Sequence, residues 1–595
     1  MSSPRPFLLP WVVAALLSAT ACIDVPDITP VQGEVRIRTP EGTAYTKGVL
    51  DIGLEVTGHR PDRVELLRDG EVMAVLKSPY TYAWDTTGET EGEHRLGARV
   101  VFGETVFTGQ ERVVVVDRTA PQVVSRAPEP GAENVWVKSP IQAVFSEPMK
   151  LDAVTSASVR LTVGGVDVVR TVSLSGDGKT MTVVPGAAIS APASAAIALT
   201  SAVTDLAGNA VRNPSEPWNW ALPYWIPWGG TSVPLPLGLH DTGVHRIDSS
   251  GRLLATWSLH TDPSGRPQLN RWGGTDWEFW GGTYIDSAIM SSNEGPPLLL
   301  DNTGNPVIAW VSAYTHDKTL IHIRRWNTGV WQQLESPTPE ATGLPLKMHP
   351  TLQWTPSGQL AIAWVEHNAT QRKVCVSILN EHQWTPLGEC LADTLAGPPN
   401  PHLSLNFTSM GIPVVAWLGE GSTSAVTEVK IHYHSEGKWQ AIDDDRDTDS
   451  DKYILTHPGP NNSLYLVGFS PRATPATYDL HAYHYALDPD GNGGAIGVFQ
   501  PASETASIRN FSIITDKDER LVIAWEEEVP QGGTKLHLRR WSHTSWDSLE
   551  DVAPLVGSIT VLPSSLQTTP DGSLVLTWIE QTQSDTRIRI KRFNE

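Results

Sequence analysis

Apolar and polar residues alternate along most of the chain in runs of a few positions, each bounded by Gly, Pro, Asn or Asp. That period of two is the signature of strands that bury one face, and the punctuation is that of tight turns. One run returns again and again: "GRLLATW" ending at Trp257, "GNPVIAW" at Trp310, "GQLAIAW" at Trp364, "GIPVVAW" at Trp417, "NSLYLVGF" at Phe469, "ERLVIAW" at Trp525 and "GSLVLTW" at Trp578. The closing aromatics follow one another at intervals of 53, 54, 53, 52, 56 and 53 residues. A period near 50 with short strands and glycine turns predicts a β-propeller of seven four-stranded blades, because a wedge-shaped sheet with two apolar faces must meet near-identical neighbours.

A second tryptophan follows the first in most copies, at Trp277, Trp331, Trp384, Trp439 and Trp546, and marks the outer strand. The seventh copy stops after its third strand, "TRIRIKRF". Ahead of the first copy stands "YWIPWGG", and the outer strand of the first copy reads "DWEFWGG". Trp225 and Trp277 are 52 residues apart, one repeat. The strand near 224–230 is therefore expected to complete the last blade, which removes exposed sheet edges.

Two strand-rich modules precede the array. In the first, Asp69-Gly70 forms a hairpin turn, and Tyr80, Tyr82, Trp84, Asp85, Thr86, Gly92, His94, Leu96 and Ala98 resemble the pattern of bacterial Ig-like domains. The second, after "DRTAP" at 117–121, resembles the S-layer-protein type (SbsA-like) of Ig-like domain through "FSEPM", "SLSGDGKTMTVVP" and "TSAVTDLAGNAV". The resemblance implies sandwiches that act as spacers. The expected fold class is all-β: two Ig-like β-sandwiches at 33–119 and 120–222, then a seven-bladed β-propeller at 223–595.

Composition sharpens this picture. The net charge of -22 offers no basic stripe for phosphate, so nucleic acid is excluded as a partner. Arg5 and the apolar run up to Ala21 read as a signal segment, too short for a comfortable span. "SATAC" resembles the lipobox of bacterial lipoproteins, which implies a signal peptide at 1–22, lipidation of Cys22 and a linker at 23–32. Ile23 stands where the inner-membrane retention Asp would be, so an outer-membrane, lipid-anchored location is expected. Cys375 and Cys390 fall on two strands of one hairpin. The inferred register pairs Cys375 with about Gly388, so a disulfide needs a diagonal contact or a bulge, and free thiols stay open.

Candidate chemistry is sparse. Asp488, Asp490 and Asn492 have the alternate spacing of a calcium loop, and Asp445, Asp447 and Asp449 form a second acidic loop, but Phe499 replaces the closing Glu of the first. Calcium is the one cofactor considered. His322, His432, His481 and His537 take matching places in third strands, which suits blade interfaces better than a shared metal. His481 and His484 should point to opposite faces. Glu366, Glu526 and Glu580 follow the inner aromatics closely and could serve glycoside hydrolysis. Residues that recur in every blade mark architecture, whereas an active site is singular. The array resembles propellers of exported myxobacterial-type lipoproteins and, distantly, sialidase-like and lectin propellers. The reading is a non-catalytic envelope lipoprotein binding a glycan or cell-surface protein, with no catalytic residue. The alternatives are a polysaccharide-acting propeller enzyme, glycoside hydrolase or sialidase-like, and an envelope assembly scaffold.

Overall fold

The computed structural model describes residues 32–594 except 215, 235–243, 249, 258–265, 291–295, 316–317, 338–343, 395–401, 421–426, 443–452, 472–477, 488–492, 501–506, 529–532, 550, 553–557, 563–564, 570–571 and 583–584. Among the described residues the protein is all-β, with no α-helix and hence no helix able to cross a membrane.

The first module sets a three-stranded sheet (Gly33–Thr39, Val49–Gly58, Thr81–Asp85) against a larger sheet centred on Gly92–Phe102. Alternating residues of both close over Trp84, Leu66 and Leu96. The second module pairs two four-stranded sheets around Phe145, Leu161, Met181 and Trp220. Each strand buries every second side chain, as in Ile141–Phe145, which is why these sequences alternate.

Beyond residue 224 come seven successive antiparallel sheets, here sheets one to seven; in sheets one to six the strands follow chain order, the first being called inner and the fourth outer. Sheet two is typical, with strands Leu298–Leu300, Pro306–Thr315, Lys318–Asn327 and Val330–Leu334. The recurring motif is the turn and second strand. Asp301 folds that turn by accepting the backbone N–H groups of Thr303 and Asn305, both at 2.9 Å, and Gly304 occupies a left-handed φ of 83°. In sheet six the same position is Glu519, held at φ 58°.

The inner tryptophans face the sheet before them, whereas Phe469 lies on the other face of its strand and packs with Ile508, Phe511 and Trp525 of sheet six, so it is not their counterpart. Trp310 packs with Leu254 and Leu269 of sheet one, and Trp364 with Val307 and Ile323 of sheet two. Trp310, Trp364, Trp417, Phe469, Trp525 and Trp578 are all buried, and Trp257 closes the second strand of sheet one. Burying such rings contributes about 2–3 kcal/mol each.

The outer tryptophans act differently. In sheets three, four and six their indole N–H groups donate to backbone carbonyls of the preceding sheet: Trp384 to Glu335 at 2.7 Å, Trp439 to Leu387 at 2.8 Å and Trp546 to Ile496 at 2.7 Å, whereas the Trp331 indole makes no such bond. Sheet seven takes its outer strand from Trp225–Pro234, which pairs with Thr586–Phe593. Trp225 then donates to Leu549 of sheet six at 3.0 Å, as Trp277 does to Pro234 at 2.7 Å. Close approach requires small residues on the receiving strands. A Cβ on Gly497 would lie 2.5 Å from the Trp546 indole nitrogen.

Inner strands of neighbouring sheets are stitched by side chains. Gln353 donates to Asn406 at 3.1 Å, Asn406 to the Thr456 carbonyl at 2.7 Å, and Ser512 accepts the Leu566 N–H at 3.0 Å. Between sheets seven and one, Gln567 accepts the Ile247 N–H at 2.9 Å and donates to the His245 carbonyl at 3.1 Å.

The second module docks on the array. Arg592 of sheet seven stacks 4.4 Å over the Trp136 ring. Asn594, 1% exposed, bonds to Val137, Val135 and Pro223.

Candidate active site

Each residue singled out from the sequence has a definite fate. Cys22 and both acidic loops, with Asp445, Asp447, Asp449, Asp488, Asp490 and Asn492, lie outside the described residues. Cys375 and Cys390 are joined in a disulfide with Cα atoms 4.4 Å apart. The register shows how: Ser377 faces Pro386, but Val374 faces Leu391, so the partner strand has gained two residues around Gly388 and Cys390 comes opposite Cys375.

Three of the four third-strand histidines stack on inner tryptophans: His322 on Trp310 at 5.1 Å, His432 on Trp417 at 5.0 Å and His537 on Trp525 at 5.2 Å. His481 instead lies beside Tyr483, whose hydroxyl is 3.2 Å from its Nδ1. His484 meets Tyr465 and the Ser463 hydroxyl, 2.6 Å from its Nε2. Cys375 holds the place opposite Trp364 that His322 and His537 hold opposite Trp310 and Trp525.

The carboxylates divide into fixed and unusual ones. Glu366 accepts the Trp364 indole N–H at 2.9 Å and lies 3.3 Å from the Lys347 ammonium. Glu526 accepts Asn510 at 2.9 Å and the Val561 N–H at 2.8 Å, and Glu580 pairs with Arg589. These are structural pairings of buried charge.

Sheet six holds something that the other described sheets do not. His537 lies between two carboxylates, with Nε2 2.9 Å from Glu527 and Nδ1 3.1 Å from Asp551. Lys535 and Arg539 each bind Asp551 at 2.8 Å. Burial pushes Asp551 up, but the hydrogen bonds from Lys535 and Arg539, with the charges of His537 and Arg539, bring it down to about 2. Burial holds His537 below the usual histidine range, against the pull of Asp551 and Glu527. An imidazole flanked by two carboxyl groups is an arrangement suited to relaying a proton. Glu527 adjoins Glu526, and the sequence reading passed it over because alternation of faces was not used to separate them.

A second acidic group joins the two modules. Asp117, Glu147 and Asp205 bring one oxygen each within 4.8 Å of one another, a set that could hold a cation. Glu147 is raised to about 7, first by burial and then by Asp117 and Asp205.

Residues 117–221 match a bacterial Ig-like domain family, so the second module is Ig-like. No curated protein matches the chain. Solved structures similar to the array include the α-L-arabinofuranosidase Arb93A of Fusarium graminearum with an iminosugar inhibitor, at 12% identity and a TM-score of 0.34, covering 50% of this chain and 92% of that one. An α-L-arabinanase of Penicillium chrysogenum complexed with arabinobiose has 15% identity and a TM-score of 0.32 over 50% and 92%. A thermostable family-43 glycoside hydrolase has 9% identity and a TM-score of 0.29 over 46% and 98%. The expectation of a non-catalytic binding protein is corrected here, because the structures matched include several glycoside hydrolases. At such scores and identities the likeness assigns no activity to this chain. The enzyme reading has to stand on the chemistry of sheet six.

Proposed function

We propose that the seven sheets are a closed seven-bladed propeller, spanning about 223–595, and that it cleaves polysaccharide as a hydrolase. The observation that supports this is the line Glu527, His537 and Asp551, in which one imidazole lies 2.9 Å from one carboxyl group and 3.1 Å from another. In glycoside hydrolysis one carboxyl group protonates the leaving oxygen while a second assists at the anomeric carbon, and Glu527 is the group we assign to the first role. Two Ig-like modules, 33–119 and 120–222, space the propeller from a membrane anchor at Cys22, which suits a polymer met outside the cell.

The test is hydrolysis of a panel of neutral and uronate polysaccharides by the whole chain. Glu527→Gln keeps the shape and removes the acid, and should lower kcat by about 10²–10⁴-fold with the melting temperature little changed. A wild-type chain that releases no sugar from any of the panel would sink the proposal.

A further inference from the structure

The fourth strand of sheet three comes in two pieces. Gln383–Pro386 pairs with one half of Gln371–Asn380, and Leu391–Thr394 pairs with the other half. In sheet six the second piece is reduced to a single bridge, Val552 to Leu536. A four-residue strand at the outer edge of a sheet has little apolar surface to hold it: Leu391 is half-buried and Ala392 is exposed. Two other features fix it in place. The Cys375–Cys390 disulfide ties its leading end to the third strand, and Asp393 anchors it from within.

Asp393 reaches beyond its own sheet. Its carboxylate accepts the Arg372 Nε–H at 3.0 Å and a second bond from the same guanidinium, and it also accepts the Trp417 indole N–H of sheet four at 3.1 Å. Arg372 donates in turn to the Leu418 carbonyl of sheet four at 3.3 Å. Both side chains of the ion pair are buried. A Cβ on Gly419 would lie 3.2 Å from the Asp393 carboxylate, so the two sheets meet closely here. If Leu391–Thr394 left its place, a buried guanidinium would lose its counter-charge and the Trp417 indole its acceptor. The strand therefore carries a polar clamp between sheets three and four.

The two sulfurs differ in access. Cys375 is 1% exposed and packs with Trp364 in the core between sheets two and three, whereas Cys390 is half-buried beside the exposed Gly388 and Glu389. An incoming thiolate therefore meets the Cys390 sulfur. Attack by a dithiol forms a mixed disulfide at Cys390 and expels the Cys375 thiolate, which takes up a proton. The second thiol of the reagent then displaces Cys390, so that the protein gains two thiols and the reagent, oxidised by two electrons, leaves as a cyclic disulfide. Cys375 remains in the core as a small apolar group, and the second and third strands keep their packing. What is lost is the tie between positions 15 apart, and the loop that it closed gains freedom. We infer that the Cys375–Cys390 disulfide is a redox-sensitive latch: closed, it seats Leu391–Thr394 and its Asp393 against sheet four, and reduced by a dithiol, it lets that strand lift away.

The latch does not rest on Glu527 or on any hydrolase activity. Amide hydrogen exchange of the whole chain, oxidised and after dithiothreitol under native conditions, tests it, with alkylation and mass spectrometry counting the thiols at 375 and 390. Reduction should speed exchange in Leu391–Thr394 at least 10-fold, while Leu360–His367 of the same sheet and Leu521–Glu528 of sheet six keep their protection. Cys390→Ala, which leaves Cys375 in the core, should exchange as fast in that strand without reductant. Four results would overturn the inference: a disulfide that dithiothreitol leaves intact in the native chain, equal exchange of the strand in the oxidised and reduced chains, slow exchange of the strand in Cys390→Ala, or an acceleration spread evenly over all seven sheets.

Discussion

The Asn594 side chain donates to the Val135 carbonyl at 2.8 Å, joining residues 459 positions apart in sequence. Its amide oxygen accepts the Val137 N–H at 2.7 Å, and the same Nδ2 reaches the Pro223 carbonyl at 2.9 Å. One amide thereby satisfies three backbone groups at the contact of the Ig-like module with sheet seven.

Asn594→Ala leaves those three groups without their partner. A loss of about 2–4 kcal/mol is expected in urea unfolding of the whole chain. An unfolding midpoint equal to that of wild type would mean that water replaces the amide at no cost.

Glu147 supplies a pH dependence whose sign follows from its environment. Its carboxyl is raised from 4.5 to about 7 in the folded chain, so folding favours the protonated form. The stability it lends is complete below about pH 4.5 and is lost as pH rises through 7. Melting temperatures at pH 5 and pH 8 should differ more in wild type than in Glu147→Gln. Equal differences in the two proteins would remove Glu147 from the account.

The outer tryptophans should rank by burial. Trp225, 1% exposed, donates to Leu549 and belongs to the core between sheets six and seven. Trp384 makes the same kind of bond to Glu335 at a half-buried position. Trp225→Phe should cost about 2–3 kcal/mol and Trp384→Phe about 1 kcal/mol in chemical unfolding. The reverse order would show that these rings are held by something other than the indole bond.

The all-β class was legible because a period of two and turn residues are local properties. The second strands were legible for a stronger reason, since Trp310 and its counterparts repeat at a spacing that only a recurring unit produces. What escaped were pairings between distant positions. Glu527 carries its meaning through His537 and Asp551, and neither the sheet face nor the burial of Asp551 can be read from "AWEEE". The two-residue insertion that brings Cys390 opposite Cys375 was likewise invisible, because register depends on which strand the chain rejoins after Gly388.

Sheet seven is assembled from Trp225–Pro234 and Thr586–Phe593, so its outer strand is made early in synthesis and its third strand late. The early strand has no neighbour in its own sheet until some 350 residues later have left the ribosome. A chain interrupted in sheet four or five would carry an open edge at Trp225, visible to proteases and chaperones, until the late strand arrives. The pairing works as a check on the sheets between its two strands, in which the later strand certifies those made before it.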